Sequence, residues 1–265
     1  MMVNDPGLDI GAVADELVEM RRSQRVVPGL PDGLRPTSLA DAYAVQERVV
    51  ASLAGDDRPI GYKVACTSRV AQEALAIDRP LFGRLLSHTT SPSGATLHTD
   101  AFVHRVIEAE FGFRLARDVP IAEDGHTHDS IADCIDAVIP SIEIVDHRFV
   151  SWVVGALPIA ADNAIHGWWV HGDPVTEWRH LDLAVTAVEV RVDGEIVTTG
   201  SGAAVLGHPL TVMAWLADEL PRFGRSLRAG DLVTTGVTTD VFEAHSGQTV
   251  TAGFEAIGDV ELRFD

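Results

Sequence analysis

Cysteine is nearly absent from this 265-residue chain: Cys66 and Cys134 are the only two. That is too few for a disulfide framework or a thiolate metal cage. It suits a reducing, cytoplasmic setting in which both side chains act as small core hydrophobes. Aromatic residues are sparse at 6% while glycines number 23, a balance expected of a soluble globular protein. No apolar run approaches the roughly 20 residues that span a bilayer, so no membrane association is expected. The opening stretch, MMVNDPGLDI, lacks the basic segment and apolar core of a secretion signal. Basic residues are outnumbered, 20 Lys and Arg against 39 Asp and Glu, which leaves a net charge of −19. Such a field repels phosphate backbones and argues against nucleic-acid partners. It also repels an anionic substrate, unless a local cation outweighs it. Internal repeats, low-complexity segments and regular βαβ alternation are missing too, which argues against a TIM barrel or a Rossmann sheet.

What is present is 46% apolar content, enough for one large domain or one with a small appended piece. Ile10, Val13, Leu17 and Met20 fall at helical spacing within 8–24, before Pro28, Gly29, Pro31, Gly33 and Pro36 break the pattern. A second helix starts at a Ser38 cap, with Asp41 at its electropositive end, and stops at Gly55. A strand is predicted over 60–66, then a short helix capped by Thr67 or Ser68 and running to Ile77. Residues 80–100 read as irregular, 103–116 as a strand, 123–128 as a polar loop, and 130–138 as a short helix ending before Pro140. Further strands are predicted over 141–147, 231–237 and 248–264, with a hairpin of 183–192 and 195–199 about Asp193-Gly194. One helix, Pro209 to Leu220, interrupts them. The expected class is α+β: a small helical amino-terminal part, 1–78, and a strand-rich body, 79–265, with one continuous domain as the alternative.

The stretch Arg105-Val-Ile-Glu-Ala-Glu-Phe-Gly-Phe-Arg114 carries the most chemistry. As a strand it turns Ile107, Ala109, Phe111, Phe113 and Leu115 to one face, and Glu108 and Glu110 to the other. Two carboxylates so placed repel unless a cation or a proton lies between them. By pattern alone, a solvated face of an antiparallel strand explains them equally well. Farther on, Glu143 and Asp146 punctuate the apolar run Pro140-Ser-Ile-Glu-Ile-Val-Asp146. Acids in such a strand are costly unless paired or ligating. Carboxylate donors with no cysteine suit a hard cation such as Mg²⁺ or Mn²⁺. The structural alternative is a salt bridge to Arg105, Arg114 or Arg148.

Taken in order, these segments resemble the hydratase and decarboxylase branch of the fumarylacetoacetate hydrolase superfamily. Gly61-Tyr-Lys-Val64 with Thr67-Ser68, and Arg79-Pro-Leu-Phe-Gly83, are similar to its G-[WY]-K-[VI]…T-S…P-x-[FY]-G stretch. Glu108-Ala-Glu110 is similar to its E-x-E metal motif, and Pro140 to Asp146 to its P-x-x-E-I-V-D. Ala161-Asp-Asn-Ala164, Gly202 to Leu210, Ala214-Trp-Leu-Ala217, Asp41 to Gln46 and Gly230 to Gly236 match further segments, so the resemblance runs from about residue 38 to the end.

The resemblance implies a mixed β-roll or sandwich body and a divalent metal, Mg²⁺ or Mn²⁺, held by Glu108, Glu110 and Glu143, with Asp146 as a substitute for Glu143. It implies that Lys63 binds the substrate carboxylate or shuttles a proton. Val64, Leu81, Thr235 and Gly236 would lie along the substrate pocket. The implied activity is hydration of a small 2-hydroxy-dienoic or 2-oxo acid in catabolism of aromatic-derived acids, by a cytoplasmic homo-oligomer. One departure matters: typical pentadienoate hydratases carry an aspartate that assists water addition where Leu81 stands here. The oxalocrotonate-type decarboxylases resemble this chain at that point, so decarboxylation is the alternative. A non-catalytic member of the fold is a further one. A C–C hydrolase would need a His-Glu pair, for which His104 is the nearest and a poor candidate.

Other signals carry less. His126-Thr-His128 lies in a polar loop without partners at zinc spacing. Gly200 to Gly207 lacks the glycine spacing and βαβ context of a dinucleotide loop, and Ser201 is in no G-x-S-x-G elbow. Trp168 and Trp169 beside His166 read as core packing or a pocket wall.

Overall fold

The computed structural model describes residues 7–151 and 153–265, so the first six residues of the opening stretch read for a secretion signal lie outside the described residues. Six α-helices occur among them: α1 (Ile10–Arg22), α2 (Leu39–Ala54), α3 (Arg69–Leu75), α4 (His128–Ala132), α5 (Ala156–Ala161) and α6 (Pro209–Glu219). The strands are β1 (Pro59–Ala65), β2 (Leu81–Leu86), β3 (Thr90–Pro92), β4 (Ala95–Leu97), β5 (Val106–Leu115), β6 (Ile135–Val145) and β7 (His166–His171). They continue with β8 (Ala187–Val192), β9 (Glu195–Ser201), β10 (Leu232–Val237), β11 (Phe242–Glu243), β12 (Thr249–Phe254) and β13 (Gly258–Phe264).

The larger sheet runs β2-β1-β10-β5-β6-β7-β3, with β11 also pairing β5; the smaller runs β4-β13-β12-β8-β9. Both are mixed. β1 pairs β10 in parallel while β5 and β6 form a long antiparallel pair at the centre. The sheets face each other through an aliphatic core into which Phe111 and Phe254 send rings 5.1 Å apart, edge to face. This is the strand-rich α+β body with a small helical amino terminus that the sequence leads one to expect. The boundary at residue 78 falls between β1 and β2, neighbours in one sheet.

Local chemistry sets the helix ends. Asp9, Ser38, Ser68 and Thr127 each accept a backbone N–H three residues on, satisfying a donor the first turn leaves open. α2 ends on Gly55 at φ 59°. In the middle of the chain the structure departs from the sequence reading. The helix predicted over 130–138 closes at Ala132, and β6 begins at Ile135 and runs straight through Pro140. Pro140 accepts from the Gly172 N–H on the side where β7 has just ended, so its missing donor faces no strand neighbour. Five strands were not anticipated: β2, β3 and β4 inside the supposedly irregular 80–100, β7 over the paired tryptophans, and the two-residue β11.

Candidate metal and substrate site

The central antiparallel pair builds the site. Register sets Glu108 directly opposite Glu143, and strand alternation puts Glu110 on the same face as Glu108. One carboxylate oxygen from each of the three lies within 4.8 Å of the others. Glu110 and Glu143 have no solvent exposure. The reverse face of β5 is as read from sequence, with Ile107, Ala109, Phe111, Phe113 and Leu115 all in the core.

Three further side chains close on this cluster. Lys63, from β1, is 1% exposed; its Nζ lies 3.1 Å from Glu143 Oε2 and donates to Ala164 O at 3.1 Å. His166 Nδ1 is 2.8 Å from Glu143 Oε1, while its Nε2 is 3.3 Å from Thr89 Oγ1. Thr234 donates its hydroxyl to Glu110 Oε2. Glu110 Oε1 is buried and has no hydrogen-bond partner. An isolated unpartnered acid in a core is expensive, so this oxygen is an open ligand position.

Electrostatics point the same way. Burial raises the Glu110 carboxyl well above its ordinary range, and Glu143 and Glu108 push it further. Glu108 is raised too, by burial first and Glu143 next, against the pull of Lys63. Burial works against the Glu143 carboxylate as well, but Lys63 and His166 overcome it and hold that group below its usual value. Burial alone would neutralise Lys63; the three glutamates outweigh it and keep the ammonium. Burial lowers His166, leaving it a neutral imidazole. With all three acids ionised, three carboxylates and one ammonium leave two negative charges, the amount one divalent cation neutralises. An all-oxygen set of this kind fits a hard cation.

The loop that serves Lys63 is held in an uncommon conformation. Asn163, Ala164 and Ile165 all have left-handed φ, at 51°, 49° and 55°. Only asparagine takes that region easily. Asn163 Oδ1 accepts from Arg84 N at 2.7 Å and its Nδ2 donates to Arg84 O at 3.0 Å, so one side chain imitates a strand neighbour for β2. Arg21 fixes the preceding residue with an ion pair to Asp162 at 2.5 Å. The outcome is that Ala164 turns its carbonyl toward Lys63 and Ile165 faces the cavity described next.

A cavity of about 750 Å³ opens onto the cluster, with Lys63 and Glu108 in its wall. Gly236, named from sequence, lines it at φ 101°, and a Cβ there would overlap Thr67 Oγ1. Val64, Leu81 and Thr235 are placed elsewhere. Val64 and Leu81 are fully buried in the core, Leu81 beside a separate hollow next to Arg79, and Thr235 donates to Phe111 O at 3.0 Å. Asp146 is not a substitute ligand. It accepts from Val103 N and His104 N and pairs with Arg148 Nη1 at 2.7 Å, the structural role the sequence left open. His104 stacks on His147 at 4.1 Å, and His126 pairs with Asp218 at 2.7 Å; neither belongs to the cluster. Sequence reasoning gave no place in the cluster to His166 or Thr234, and read Thr67 as a helix cap and part of a family-like motif without placing it in the cavity. The one signal for the first was a lone histidine beside apolar strand residues.

The profile described as "Fumarylacetoacetate (FAA) hydrolase C-terminal" matches residues 62–265. The chain belongs to the fumarylacetoacetate hydrolase family. It is 34% identical over 264 residues to "2-keto-4-pentenoate hydratase 1" of Dechloromonas aromatica, covering 99% of this chain and 100% of that one. It is 28% identical over 254 residues to "4-oxalocrotonate decarboxylase" of Pseudomonas sp., covering 96% of each. Among solved structures, 4-oxalocrotonate decarboxylase from Pseudomonas putida complexed with magnesium and adipate superposes with a TM-score of 0.90 at 27% identity, covering 97% of both chains. A fumarylpyruvate hydrolase from Pseudomonas aeruginosa, TM-score 0.59 at 14% identity, shares the fold.

Proposed function

We propose that this chain is a divalent-metal-dependent lyase that hydrates a small 2-hydroxy-dienoate or 2-oxo-enoate, with Glu108, Glu110 and Glu143 as the ligands of Mg²⁺ or Mn²⁺. The observation that carries this reading is the buried trio of carboxylates with an unpartnered Glu110 Oε1, opening on a cavity large enough for the substrate. A cation held there supplies positive charge to attract the acid's carboxylate and 2-oxygen and to offset charge that builds on that oxygen during reaction.

The chain's own residues do the rest. Glu143 is fixed on both sides, by Lys63 and by His166, so its carboxylate cannot rotate away from the cluster. Lys63 faces the cavity as an ammonium, where it binds the substrate carboxylate or passes a proton. The apolar walls Val106, Val145, Ile159 and Ile165 exclude water from the carbon skeleton. Decarboxylation is the second reading; it is supported by the resemblance in sequence at Leu81, where the hydratases carry an aspartate, and not by contact, since Leu81 lies outside this cavity. Aromatic-derived acids, a cytoplasmic location and a homo-oligomeric assembly belong to the same proposal; among the described residues no helix is long and apolar enough to cross a membrane.

An absorbance assay with Mg²⁺ or Mn²⁺ tests it, on 2-hydroxypenta-2,4-dienoate and on 2-oxohex-3-enedioate with products identified. A 4-hydroxy-2-oxo acid marks hydration and released CO₂ marks decarboxylation. Absence of metal-dependent loss of either chromophore would sink both readings.

A further inference from the structure

The cavity is lined mostly by apolar residues. Lys63, Glu108 and the buried Thr67 hydroxyl, which has no partner, mark its floor. Lys63 is the sole lysine or arginine among the described residues that line it, and it is already shared with Glu143. The rest of the wall is mainly aliphatic and carries no further cation, its other polar groups being the hydroxyls of Ser68, Thr199, Ser201, Thr238 and Thr239. At the mouth stand three solvent-exposed valines, Val70 at 77%, Val153 at 74% and Val241 at 50%, side chains that folding alone does not require there. The remaining charged lining residue is Asp240, exposed at the rim and negative. At about 750 Å³ the volume falls within the roughly 300–1,000 Å³ of pockets that take drug-sized ligands. A five-carbon acid fills little of it.

We infer that the site selects monoanionic 2-oxo or 2-hydroxy acids carrying an uncharged aliphatic or aryl tail, and that Asp240 with the valine rim discriminates against a second, distal carboxylate. The inference rests on the proposed lyase reading for the head group. The tail specificity follows from the walls. An apolar tail removes its methylenes from water against Val106, Val145 and the rim valines, and each buried methylene contributes about fourfold in affinity. A distal carboxylate would leave water without gaining a cation and would meet the negative Asp240, in a chain whose overall charge already repels it.

The test separates this from the lyase reading by using unreactive probes. Calorimetry on the Mg²⁺-loaded protein compares 2-oxohexanoate, 2-oxooctanoate and 2-oxohexanedioate. The octanoate is expected to bind about 15-fold more tightly than the hexanoate, from two further methylenes. The dicarboxylate is expected to bind at least about tenfold more weakly than the hexanoate. Asp240→Lys should narrow the gap between the dicarboxylate and the hexanoate several-fold. Equal or tighter binding of the dicarboxylate, or no binding of any probe, overturns the inference. A protein that turns over dienoates but ranks the probes the other way refutes the tail specificity alone. One that ranks them as expected and turns over no dienoate refutes the lyase reading alone.

Discussion

Glu110→Gln separates a ligand carboxylate from a structural one, because the two roles give opposite signs. In the metal-free protein, burial, Glu143 and Glu108 all push the Glu110 carboxyl upward, favouring its protonated form. Glutamine is then its neutral isostere, and the amide oxygen can still accept from Thr234. The metal-free melting temperature should therefore change little, by less than about 1 kcal/mol equivalent. Added Mg²⁺ acts differently. A ligand that binds only the folded state at one hundred times its Kd contributes about 2.7 kcal/mol. At about 2–4 °C per kcal/mol for a chain of this size, that is about 5–10 °C. Calorimetric melting with and without Mg²⁺ should show this rise in the natural protein and its loss in Glu110→Gln. A variant that keeps the Mg²⁺ shift, or whose metal-free form melts many degrees lower, refutes the assignment of Glu110 as a ligand.

Three other outcomes follow from the same geometry. Asn163→Ala removes both hydrogen bonds to Arg84 and the residue best suited to φ 51°; urea denaturation should show a loss of about 2–3 kcal/mol, and a loss under about 0.5 kcal/mol would show that the loop is held by other contacts. Gly236→Ala places a methyl against Thr67 at φ 101°, so kcat/KM should fall about tenfold or more, by a displacement of the cavity wall, while metal binding measured by calorimetry persists. Burial, then the His104 imidazole, lowers His147 from about 6.5 to about 4. The unfolded chain takes up this proton first, so stability present above about pH 6.5 should drain away as pH falls toward about 4. His147→Asn, which keeps an acceptor for the Phe149 N–H, should flatten that limb of the stability curve; an unchanged slope would assign the acid sensitivity elsewhere.

What could be read from sequence was what depends on near neighbours. Alternation alone put Glu108 and Glu110 on one face, helical spacing announced α1, and serine caps announced α2 and α3. Glu143 was visible because it interrupts an apolar run, together with Asp146. His166 and Thr234 were not, because they reach the cluster through pairings 23 and 124 residues apart in sequence. The register is also irregular at both places, between Ile144 and Val145 on β6 and between Thr234 and Val237 on β10, and a one-residue slip in a strand moves a side chain to the other face. Pro140 misled for the converse reason. A proline ends a helix by local sterics, but whether it ends a strand depends on which neighbour faces its nitrogen, and that is a tertiary fact.

Several features of this chain oppose folding, and they are found together. Buried ion clusters seldom stabilise a protein compared with apolar packing of the same volume. Left-handed Ala164 and Ile165 cost energy that glycines would avoid. Gly236 and Thr67 approach so closely that only a glycine fits, and Thr67 keeps its hydroxyl dry without a partner. Each has its own local explanation: an ion pair for Lys63, hydrogen bonds for Asn163, a strand crossing for Gly236. None of those explanations requires the others to be nearby. Yet Lys63, Ile165, Thr67 and Gly236 all border the same hollow, which Glu108 also lines. Left-handed non-glycine residues also occur at Gln24, Ala76, Asp193, Leu206 and Ala256, outside its lining. What is particular to this hollow is that backbone strain, a dry unpartnered hydroxyl and a buried ammonium meet there, as the requirements of the proposed acid substrate would set them.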